Sequence, residues 1–352
     1  SDNLIRQSAF LGVREDKPAA EVVRETAGAQ PREERHRSKA SKEVEEPLAM
    51  AKKSVSKEEH APVRLTHPNK VLDAESGLTK QMLADYYWAI SEWMLPHVAG
   101  RPLALVRCPD GSGHPCFFQK HVNGALPKGI GSVEIADKKG TVEPYITLDS
   151  ADALAGLAQM GVMEVHPWGS KNDDLERPDR LIFDLDPDEA LPWSTVTDAA
   201  LELRAVLKKQ GLESFVKTTG GKGLHVVVLI EPEMEWPAAK EFAHSVVLEM
   251  ERKNPSLYLT KMTKSARKGK IYLDYLRNGR EATAVAPYSP RARVGAAVSM
   301  PLSWAELKGE TKRPVFHAAD FDEWKARLKK DPWKEMPKVK QQVPVERQRA
   351  SA

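Results

Sequence analysis

The sequence is poor in cysteine and has no long apolar run, and each absence excludes a class of protein. Its 352 residues include only Cys108 and Cys116, which by themselves cannot form a disulfide framework or a four-ligand zinc site. We expect both to be small buried hydrophobic side chains. No stretch approaches the roughly 20 apolar residues of a membrane helix, and the N-terminus lacks the charged-then-apolar pattern of a signal peptide. We therefore expect a cytoplasmic protein without a membrane partner.

Aromatic residues are also absent from one long stretch, residues 25–60. Its composition cannot bury enough apolar surface to offset the entropy of ordering, so residues 25–61 are predicted to be a polar flexible linker. Residues 1–24, with a compact apolar segment from Phe10, are predicted to be the end of another domain. Residues 331–352 are predicted to be a polar C-terminal tail. Because the chain begins with Ser1, we expect it to be a piece of a longer protein.

The remaining residues, 62–330, alternate strand-like and helix-like segments without an internal repeat. The sequence is 41% hydrophobic, which is enough for one large core. Thr79 to Leu95 has the pattern of an amphipathic helix with Thr79 as its N-cap. Predicted strands include 102–107, 116–120, 162–166, 180–186 and 270–276, and predicted helices include 150–160, 194–210 and 237–253. This order predicts an α/β or mixed α+β fold with one central, mainly antiparallel or mixed sheet flanked by helices.

Positive charge is distributed unevenly along the chain. The net charge is +3, and residues 1–60 carry 12 basic and 12 acidic residues, so all of the excess lies in 61–352. The segment Lys261 to Arg280 contains seven basic residues and one acid. This density is compatible with a polyanionic partner such as nucleic acid, and equally with a solvated basic loop.

Three aspartates in apolar strands are candidate metal ligands. Asp184 and Asp186 lie two apart on a predicted strand, so both side chains project to one face while Phe183 and Leu185 pack on the other. Two neighbouring carboxylates repel unless a cation lies between them, and their oxygens suit Mg²⁺ or Mn²⁺. The alternative is that one aspartate caps the turn after the strand and the other is solvated at the strand end. Asp274 is the third, for which a structural ion pair with arginine is the alternative.

A glycine-rich segment and several basic residues are candidate phosphate ligands. Residues 218–225, with the sequence TTGGKGLH, can expose backbone N–H groups to an anion, with Lys222 and His225 as further donors. The spacing excludes a Walker P-loop, and a plain hairpin turn is the alternative. If the chain is extended there, Arg291 and Arg293 share a face and can form a phosphate fork. The alternative is that either is a surface cation. His166, taken alone, is more often structural.

The N-terminal part of the domain has a second group of candidates for nucleic-acid contact. Lys70 and Lys80 flank a predicted helix N-terminus, which favours a phosphate. Phe117 and Phe118 are adjacent on a predicted strand, so we expect one to face the core and the other to face out, where it can stack on a base. Two core phenylalanines are the alternative.

Taken in order, these motifs resemble the polymerase domain of bacterial ligase D, in the archaeo-eukaryotic primase superfamily. The resemblance covers roughly 62–330 and implies the primase-polymerase fold. It implies that Asp184, Asp186 and Asp274 are catalytic and hold two divalent ions, Mn²⁺ or Mg²⁺. It also implies an incoming nucleotide, ATP or another NTP or dNTP, bound by a set of six residues: His166, Thr219, Lys222, His225, Arg291 and Arg293.

The same resemblance implies DNA as a partner. Lys70 and Lys80 map to the pair that holds a downstream 5′-phosphate, and Phe118, helped by Phe117, maps to the aromatic that stacks on the template. Arg107 and Arg267 are placed with them as DNA-binding residues. The DNA expected is a 5′-phosphorylated gap or a double-strand-break end, reached at the bacterial nucleoid.

The activity implied is nucleotidyl transfer during non-homologous end joining, extending 3′ ends and filling gaps with a preference for ribonucleotides. Residues 10–24 resemble the last motif of a ligase module, and no Lys-x-Asp-Gly nucleophile motif is present, so we expect no ligase activity. The implied parent runs ligase, linker, polymerase and cooperates with the end-binding protein Ku. A primase that starts chains without a primer and a non-catalytic DNA-end bridging module are the alternatives.

Overall fold

The structure is a computed structural model that describes residues 60–124, 126–137 and 139–344, without the side chain of Lys264. The predicted ligase remnant, 1–24, and nearly all of the predicted linker lie outside the described residues. The described helices are α1 Lys80–Ala89, α2 Ser91–Val98, α3 Ala151–Gly156, α4 Trp193–Lys209, α5 Trp236–Lys253 and α6 Phe321–Trp324. Short 3₁₀ helices span Leu157–Met160, Lys264–Arg267, Trp304–Leu307, Lys325–Lys330 and Met336–Lys338.

The described strands number thirteen and form one large sheet and three small ones. They are β1 Val71–Asp73, β2 Leu78–Thr79, β3 Leu103–Arg107, β4 Phe117–Gln119, β5 Ile130–Ala136, β6 Val142–Leu148, β7 Val162–Pro167, β8 Arg180–Pro187, β9 Phe215–Thr218, β10 Leu224–Leu229, β11 Tyr258–Leu259, β12 Ile271–Asp274 and β13 Pro301–Leu302. The large sheet has the order β11-β12-β8-β10-β9-β13. Only β11 and β12 are parallel within it, so the predicted mixed, mainly antiparallel sheet is confirmed.

The core of the domain lies between this sheet and two long helices. Helix α4 contacts α5 and the strands β8 and β10. Helix α5 contacts β8 and β11. Along β8, Leu181, Phe183 and Leu185 are buried in the same core as Leu203 of α4. Because side chains of a strand alternate, Asp184 and Asp186 are directed to the opposite face of the sheet.

Three smaller sheets lie outside the central one, so the prediction of a single sheet was incomplete. They have the orders β4-β3-β7, β5-β6 and β1-β2, and all their pairs are antiparallel. The hairpin β5-β6 was not identified from the sequence; β5 is mostly exposed, whereas the second half of β6, from Tyr145 to Leu148, is buried. The N-cap prediction is confirmed, since Met82 N donates to Thr79 Oγ1 at 3.2 Å. The predicted helix is divided into α1 and α2 at Ile90.

The two cysteines contradict the expectation of unpaired hydrophobic side chains. Cys108 and Cys116 form a disulfide, with their Cα atoms 4.4 Å apart. Antiparallel pairing of β3 with β4 brings the two ends of the intervening loop together. Eight residues of separation do not reveal this pairing, because it depends on the loop closing between two strands.

The boundary predicted at residue 330 is also wrong. Trp333, Met336 and Val343 are buried, and Trp333 and Met336 pack against Val227 of β10. The side chain of Gln341 donates to the backbone carbonyls of Glu213 and Leu229. The folded domain therefore extends to at least residue 343, since a few anchoring side chains suffice to hold an otherwise polar segment. Within the described part of the chain, no helix is both long and apolar enough to cross a membrane.

Candidate active site

Three carboxylates meet on one face of the central sheet. Asp184 lies directly opposite Asp274 in the antiparallel pairing of β8 with β12, and Asp186 lies opposite Tyr272. Directly opposed residues of antiparallel strands project to the same face. Asp184, Asp186 and Asp274 therefore converge, although 88 residues of chain separate Asp186 from Asp274.

Each of the three carboxylates is compensated by a basic side chain. Arg277 lies between two of them, with Nη2 3.5 Å from Asp184 Oδ2 and Nε 3.3 Å from Asp274 Oδ2. Asp186 lies 3.0 Å from Nη1 of Arg267 and 3.5 Å from Nζ of Lys222. The sequence marks Arg277 only as part of a basic segment. The signal that could have found it is its position three residues after Asp274.

The two opposed carboxylates, Asp184 and Asp274, differ in whether their surroundings stabilise the ionised form. Burial raises the pKa of Asp184, but His225, Arg277 and Lys217 outweigh burial and lower that pKa to about 2. Burial raises the pKa of Asp274, Arg277 lowers it, and the neighbouring Asp184 raises it, with a net upward shift. The fold thus stabilises the ionised form of Asp184, whereas ionisation of Asp274 lowers the free energy of unfolding.

Replacing Asp274 by asparagine is expected to stabilise the metal-free protein. Its Oδ1 accepts from Leu276 N at 2.8 Å, a bond that the amide oxygen of asparagine keeps, while the repulsion from Asp184 is removed. A folded-state pKa above the unfolded value means that the ionised form destabilises the fold at neutral pH. We expect a gain of about 1 kcal/mol in the free energy of unfolding, measured by urea unfolding with a chelator at pH 7.

Asp188→Asn is the matched control for this stability measurement. Asp188 Oδ1 accepts from Ala190 N at 2.9 Å, the same two-residue turn bond, without an opposed carboxylate. We expect its stability to stay within about 0.5 kcal/mol of the wild type. A destabilised Asp274→Asn protein would contradict the electrostatic interpretation of this carboxylate pair.

A buried row of side chains continues from Asp184 across the sheet. His225 lies opposite Asp184, and Lys217 lies opposite His225. His225 Nε2 is 3.4 Å from Asp184 Oδ1, and burial together with Lys217 lowers the pKa of His225 to about 4. Lys217 is fully buried and donates to Ser299 Oγ at 2.6 Å, and burial and Arg291 lower its pKa. Lys217 was missed, although a lysine inside an apolar strand is itself a signal.

The glycine-rich segment is the hairpin turn between β9 and β10. Thr219 Oγ1 accepts from Gly221 N and donates to Gly223 O, both at 3.2 Å, so the hydroxyl holds the turn together. Gly220 has a φ of +67°, and a Cβ at Gly223 would lie 2.2 Å from Leu185 O of β8. Glycine is required at both positions. The turn places Lys222 beside Asp186.

The predicted nucleotide ligands line one cleft of about 200 Å³ at this turn. His166, Thr219, Lys222, His225, Arg291 and Arg293 line it together with Asp184, Asp186 and Arg277. Residues 291–295 form a bend and not the extended strand expected for a phosphate fork, yet both arginines reach the cleft. Arg291 Nη1 donates to the backbone carbonyl of Thr219, which joins this bend to the hairpin turn.

The predicted 5′-phosphate ligands lie outside the residues that line this cleft. Lys70 Nζ donates to Asp110 Oδ1 at 3.1 Å, with both side chains well exposed. Lys80 is nearly buried, and its Nζ donates to Thr66 O at 2.9 Å. Burial and the charge of Lys70 lower the pKa of Lys80.

The two adjacent phenylalanines are both exposed, which contradicts the expectation that one faces the core. Phe117 is 47% and Phe118 is 67% exposed. Both side chains lie outside the main core, on a three-residue edge strand of a small sheet in which Gln119 is the buried residue. The guanidinium of Arg107 lies 5.3 Å from the Phe117 ring centroid, and Phe118 makes an edge contact with His166 at 5.8 Å. Phe118 thus lies beside the cleft through its contact with His166, whereas Phe117 lies against Arg107.

Arg107 and Arg267 are held in different surroundings. Arg107 Nε donates to Met160 O at 3.0 Å and Nη1 to Gln119 Oε1 at 2.8 Å, away from the carboxylates. Arg267 lies over the Tyr272 ring at 4.0 Å and contacts Asp186. Of the two, only Arg267 is thus joined directly to the carboxylate cluster.

The donor set fits a pair of hard divalent cations. Within the described residues, no group of three or more His, Cys, Asp or Glu side chains is arranged closely enough to hold a metal ion as it stands. The three aspartates nevertheless supply only carboxylate oxygens, which Mg²⁺ and Mn²⁺ prefer. The three carboxylates repel one another, and Arg277, Arg267 and Lys222 offset that repulsion here. Bound divalent cations would offset it in the same way.

Comparison with known proteins finds a family model and relatives that match most of the chain. The family described as LigD, primase-polymerase domain, matches residues 79–333. The multifunctional non-homologous end joining protein LigD of Pseudomonas aeruginosa is 39% identical over 307 residues, covering 86% of this chain and 35% of that protein. The LigD protein of Mycolicibacterium smegmatis is 35% identical over 281 residues, covering 79% of this chain and 36% of that protein.

A solved structure shares the architecture as well. The polymerase domain from Mycobacterium tuberculosis ligase D in complex with DNA matches with a TM-score of 0.71 and 32% identity, covering 83% of this chain and 99% of that domain. The chain thus spans about a third of the length of these LigD relatives and nearly all of the solved polymerase domain. The extent and identity of these matches show that the chain belongs to the LigD primase-polymerase family, nucleotidyltransferases of the archaeo-eukaryotic primase type.

Proposed function

We propose that this chain extends DNA 3′ ends and fills gaps by adding nucleotides in the cleft above the central sheet. The observation that carries the proposal is the convergence of Asp184, Asp186 and Asp274 on one face, beside a cleft lined by basic side chains. A triphosphate is a polyanion, and the cleft offers positive charge from separate segments. No DNA-binding role by itself would require three carboxylates at this position, because they repel phosphate.

The basic side chains of the cleft would bind and orient the triphosphate. Lys222 lies on the β9–β10 turn, and Arg291 and Arg293 lie on the 291–295 bend, so they can hold the phosphate chain from two sides. Fixing the triphosphate in line with a primer 3′-hydroxyl replaces a random encounter with a positioned one. His225 contacts Asp184 and would hold that carboxylate in place during the transfer.

Asp184, Asp186 and Asp274 would hold two divalent ions, Mn²⁺ or Mg²⁺. When bound, such ions lower the pKa of the attacking hydroxyl and offset negative charge on the leaving pyrophosphate. Asp184 is suited to the task because its pKa is about 2, so it stays ionised at neutral pH. The carboxylates project from β8 and β12, two hydrogen-bonded strands, which keeps their spacing fixed.

The DNA would lie along the side of the domain that carries β4 and the start of α1. Exposed Phe118 and Phe117 offer aromatic faces to template bases, and Arg107 lies behind Phe117. Lys70 and Lys80 would hold the 5′-phosphate at the far side of a gap, and Arg267 would contact DNA beside the carboxylates. The bound DNA of the solved M. tuberculosis domain supports the assignment of DNA as the partner.

The biological setting proposed is double-strand-break repair by non-homologous end joining. The relatives that carry this name are about three times longer than the chain, so this role, a ribonucleotide preference and cooperation with Ku through a full-length parent are proposals. Action on chromosomal DNA in the bacterial cytoplasm follows from the same setting.

Nucleotide incorporation tests the proposed function. The substrates are a 5′-phosphorylated gapped duplex and a single-stranded template without primer, each with Mn²⁺ or Mg²⁺ and with ATP or dATP. We expect extension of the gapped primer, fastest with Mn²⁺ and ATP. Synthesis on the unprimed template alone would indicate a primase. Absence of incorporation on every substrate, with DNA binding intact, would indicate a bridging module and overturn the proposal.

Replacing Lys70 and Lys80 by glutamine is expected to reduce the preference for a 5′-phosphorylated downstream strand by about ten-fold. Removing either amine deletes a charge-assisted contact to the terminal phosphate. Fluorescence anisotropy with matched 5′-phosphate and 5′-hydroxyl gaps measures the ratio of affinities. Lys70 pairs with exposed Asp110, so its loss should barely change stability.

Lys208→Gln on the exposed face of α4 is the control for the loss of charge. We expect it to weaken binding to both gaps alike, if at all. An unchanged ratio in the Lys70→Gln, Lys80→Gln protein would remove these lysines from the 5′-phosphate site.

A further inference from the structure

A buried glutamate that sequence analysis did not single out lies behind the nucleotide cleft. Glu164 is on β7, two residues before His166, and its side chain is 7% exposed. Its Oε2 accepts from His166 Nε2 at 2.7 Å. Its Oε1 accepts from Ala292 N at 2.8 Å and lies 3.0 Å from Arg291 Nε. Every one of these contacts goes to a cleft residue or to the residue after it.

The contacts of Glu164 join three separate parts of the site. His166 and Glu164 share β7, whereas Arg291 belongs to the bend after β12. Arg291 in turn donates to the carbonyl of Thr219 on the β9–β10 turn. One carboxylate therefore fixes the relative positions of the strand, the bend and the glycine-rich turn, which together would surround a triphosphate.

The chemistry of the carboxylate also determines how His166 presents its ring. Burial raises the pKa of Glu164, but His166 and Arg291 lower it to about 2, so the side chain is ionised and can only accept hydrogen bonds. Nε2 of His166 must then carry a proton, which leaves Nδ1 as the other polar atom of the ring. A buried carboxylate that sets a tautomer in this way is a familiar support for a functional histidine.

We propose that Glu164 is a positioning residue that holds Arg291 in the orientation needed to bind the triphosphate of the incoming nucleotide, and holds His166 with Nδ1 as an acceptor toward that nucleotide. This inference rests on the proposed function, because it takes the cleft to be the nucleotide site. Glu164 itself does not touch the substrate. Its side chain acts through the ring of His166 and the guanidinium of Arg291.

Steady-state gap filling by E164Q tests the proposal. We expect the KM for ATP to rise by about ten-fold, with kcat at saturating ATP changed by less than about three-fold, because alignment of the phosphate ligands is lost and the carboxylate cluster is untouched. E306Q is the matched control, since Glu306 pairs with Arg327 outside the cleft. We expect E306Q to leave KM unchanged.

A mutant cycle separates positioning from a general structural role. In a protein that already carries H166A and R291A, E164Q is expected to raise KM no further, because the groups through which it acts are gone. A further ten-fold rise in that background would overturn the proposal. The ¹⁵N NMR signals of the His166 ring give a second readout, since E164A, which removes both acceptor oxygens, should abolish the fixed Nε2–H tautomer of the wild type. Retention of that tautomer would also count against it.

The outcomes distinguish this inference from the proposed function. If the wild type incorporates nucleotide and E164Q has wild-type KM and kcat, the inference fails and the function stands. If the wild type neither incorporates nor binds ATP, the proposed function is wrong, and the inference about Glu164 is wrong with it. Should E164Q not give a cooperative thermal unfolding transition, E164D carries the same test, because it keeps the charge but shortens the arm, and its KM is expected to rise.

Discussion

Asp184→Asn is expected to reduce nucleotide incorporation by about a thousand-fold or more, which corresponds to about 4 kcal/mol of transition-state stabilisation. Asp184 is the central acid of the site: it lies opposite Asp274 on one side and His225 on the other. The amide has nearly the same shape but no charge, so it cannot hold a divalent cation between two strands. Single-turnover gap filling with saturating Mn²⁺ and ATP measures the loss.

The control for this loss is Asp198→Asn, which removes an exposed acid of α4 from the opposite face of the sheet. We expect it to retain incorporation within about two-fold of the wild type. DNA binding by Asp184→Asn, measured in parallel, is expected to persist, because the aromatic and lysine contacts are elsewhere. Incorporation by Asp184→Asn within ten-fold of the wild type would remove this carboxylate from the catalytic centre.

Periodicity in the sequence predicts only the part of the site that lies on one strand, β8. Alternation along β8 is enough to direct Asp184 and Asp186 to one face and to bury Phe183 and Leu185. The position of Asp274 opposite Asp184 depends on the register between two strands that are distant in sequence. No local pattern specifies that register, so it followed only from the resemblance to a known family.

The residues missed at the site are those that support others from a neighbouring strand or turn. Glu164 precedes His166 by two residues on β7, a spacing that could have indicated a shared face. Lys217 interrupts an apolar strand and lies opposite His225. The sequence signals at both positions are weak, because burial of a charge is informative only together with its partner, and Arg291 and Ser299 are distant in the sequence.

Errors in the fold prediction arose where tertiary surroundings override local pattern. The rule that adjacent residues of a strand face opposite sides holds for Phe117 and Phe118, but it does not require either side to be covered, and β4 is an edge strand. The C-terminal boundary was placed too early because Trp333 and Met336 are isolated in a polar segment. Neither outcome could be predicted without knowing which surfaces the sheet leaves open.

Gly223→Ala is expected to destabilise the domain by about 3 kcal/mol or more and to abolish ATP-dependent incorporation. A Cβ at this position would lie 2.2 Å from the backbone oxygen of Leu185, and Pro187 Cδ is 3.4 Å away. A backbone atom cannot turn aside as a side-chain end can, so β8 itself must move. That strand carries both Asp184 and Asp186, and the turn carries Lys222.

Thermal unfolding with Gly113→Ala as the matched control measures this effect. For a domain of this size, 3 kcal/mol corresponds to a fall in Tm of roughly 5 °C. Gly113 is exposed, and a Cβ added there would meet no atom within 4 Å, so Gly113→Ala should stay within about 0.5 kcal/mol of the wild type. A Gly223→Ala protein with wild-type Tm and activity would show that the turn does not pass closely over β8. The geometry of the cleft, which depends on the approach of the glycine-rich turn to the carboxylate strand, would then be wrong at this point.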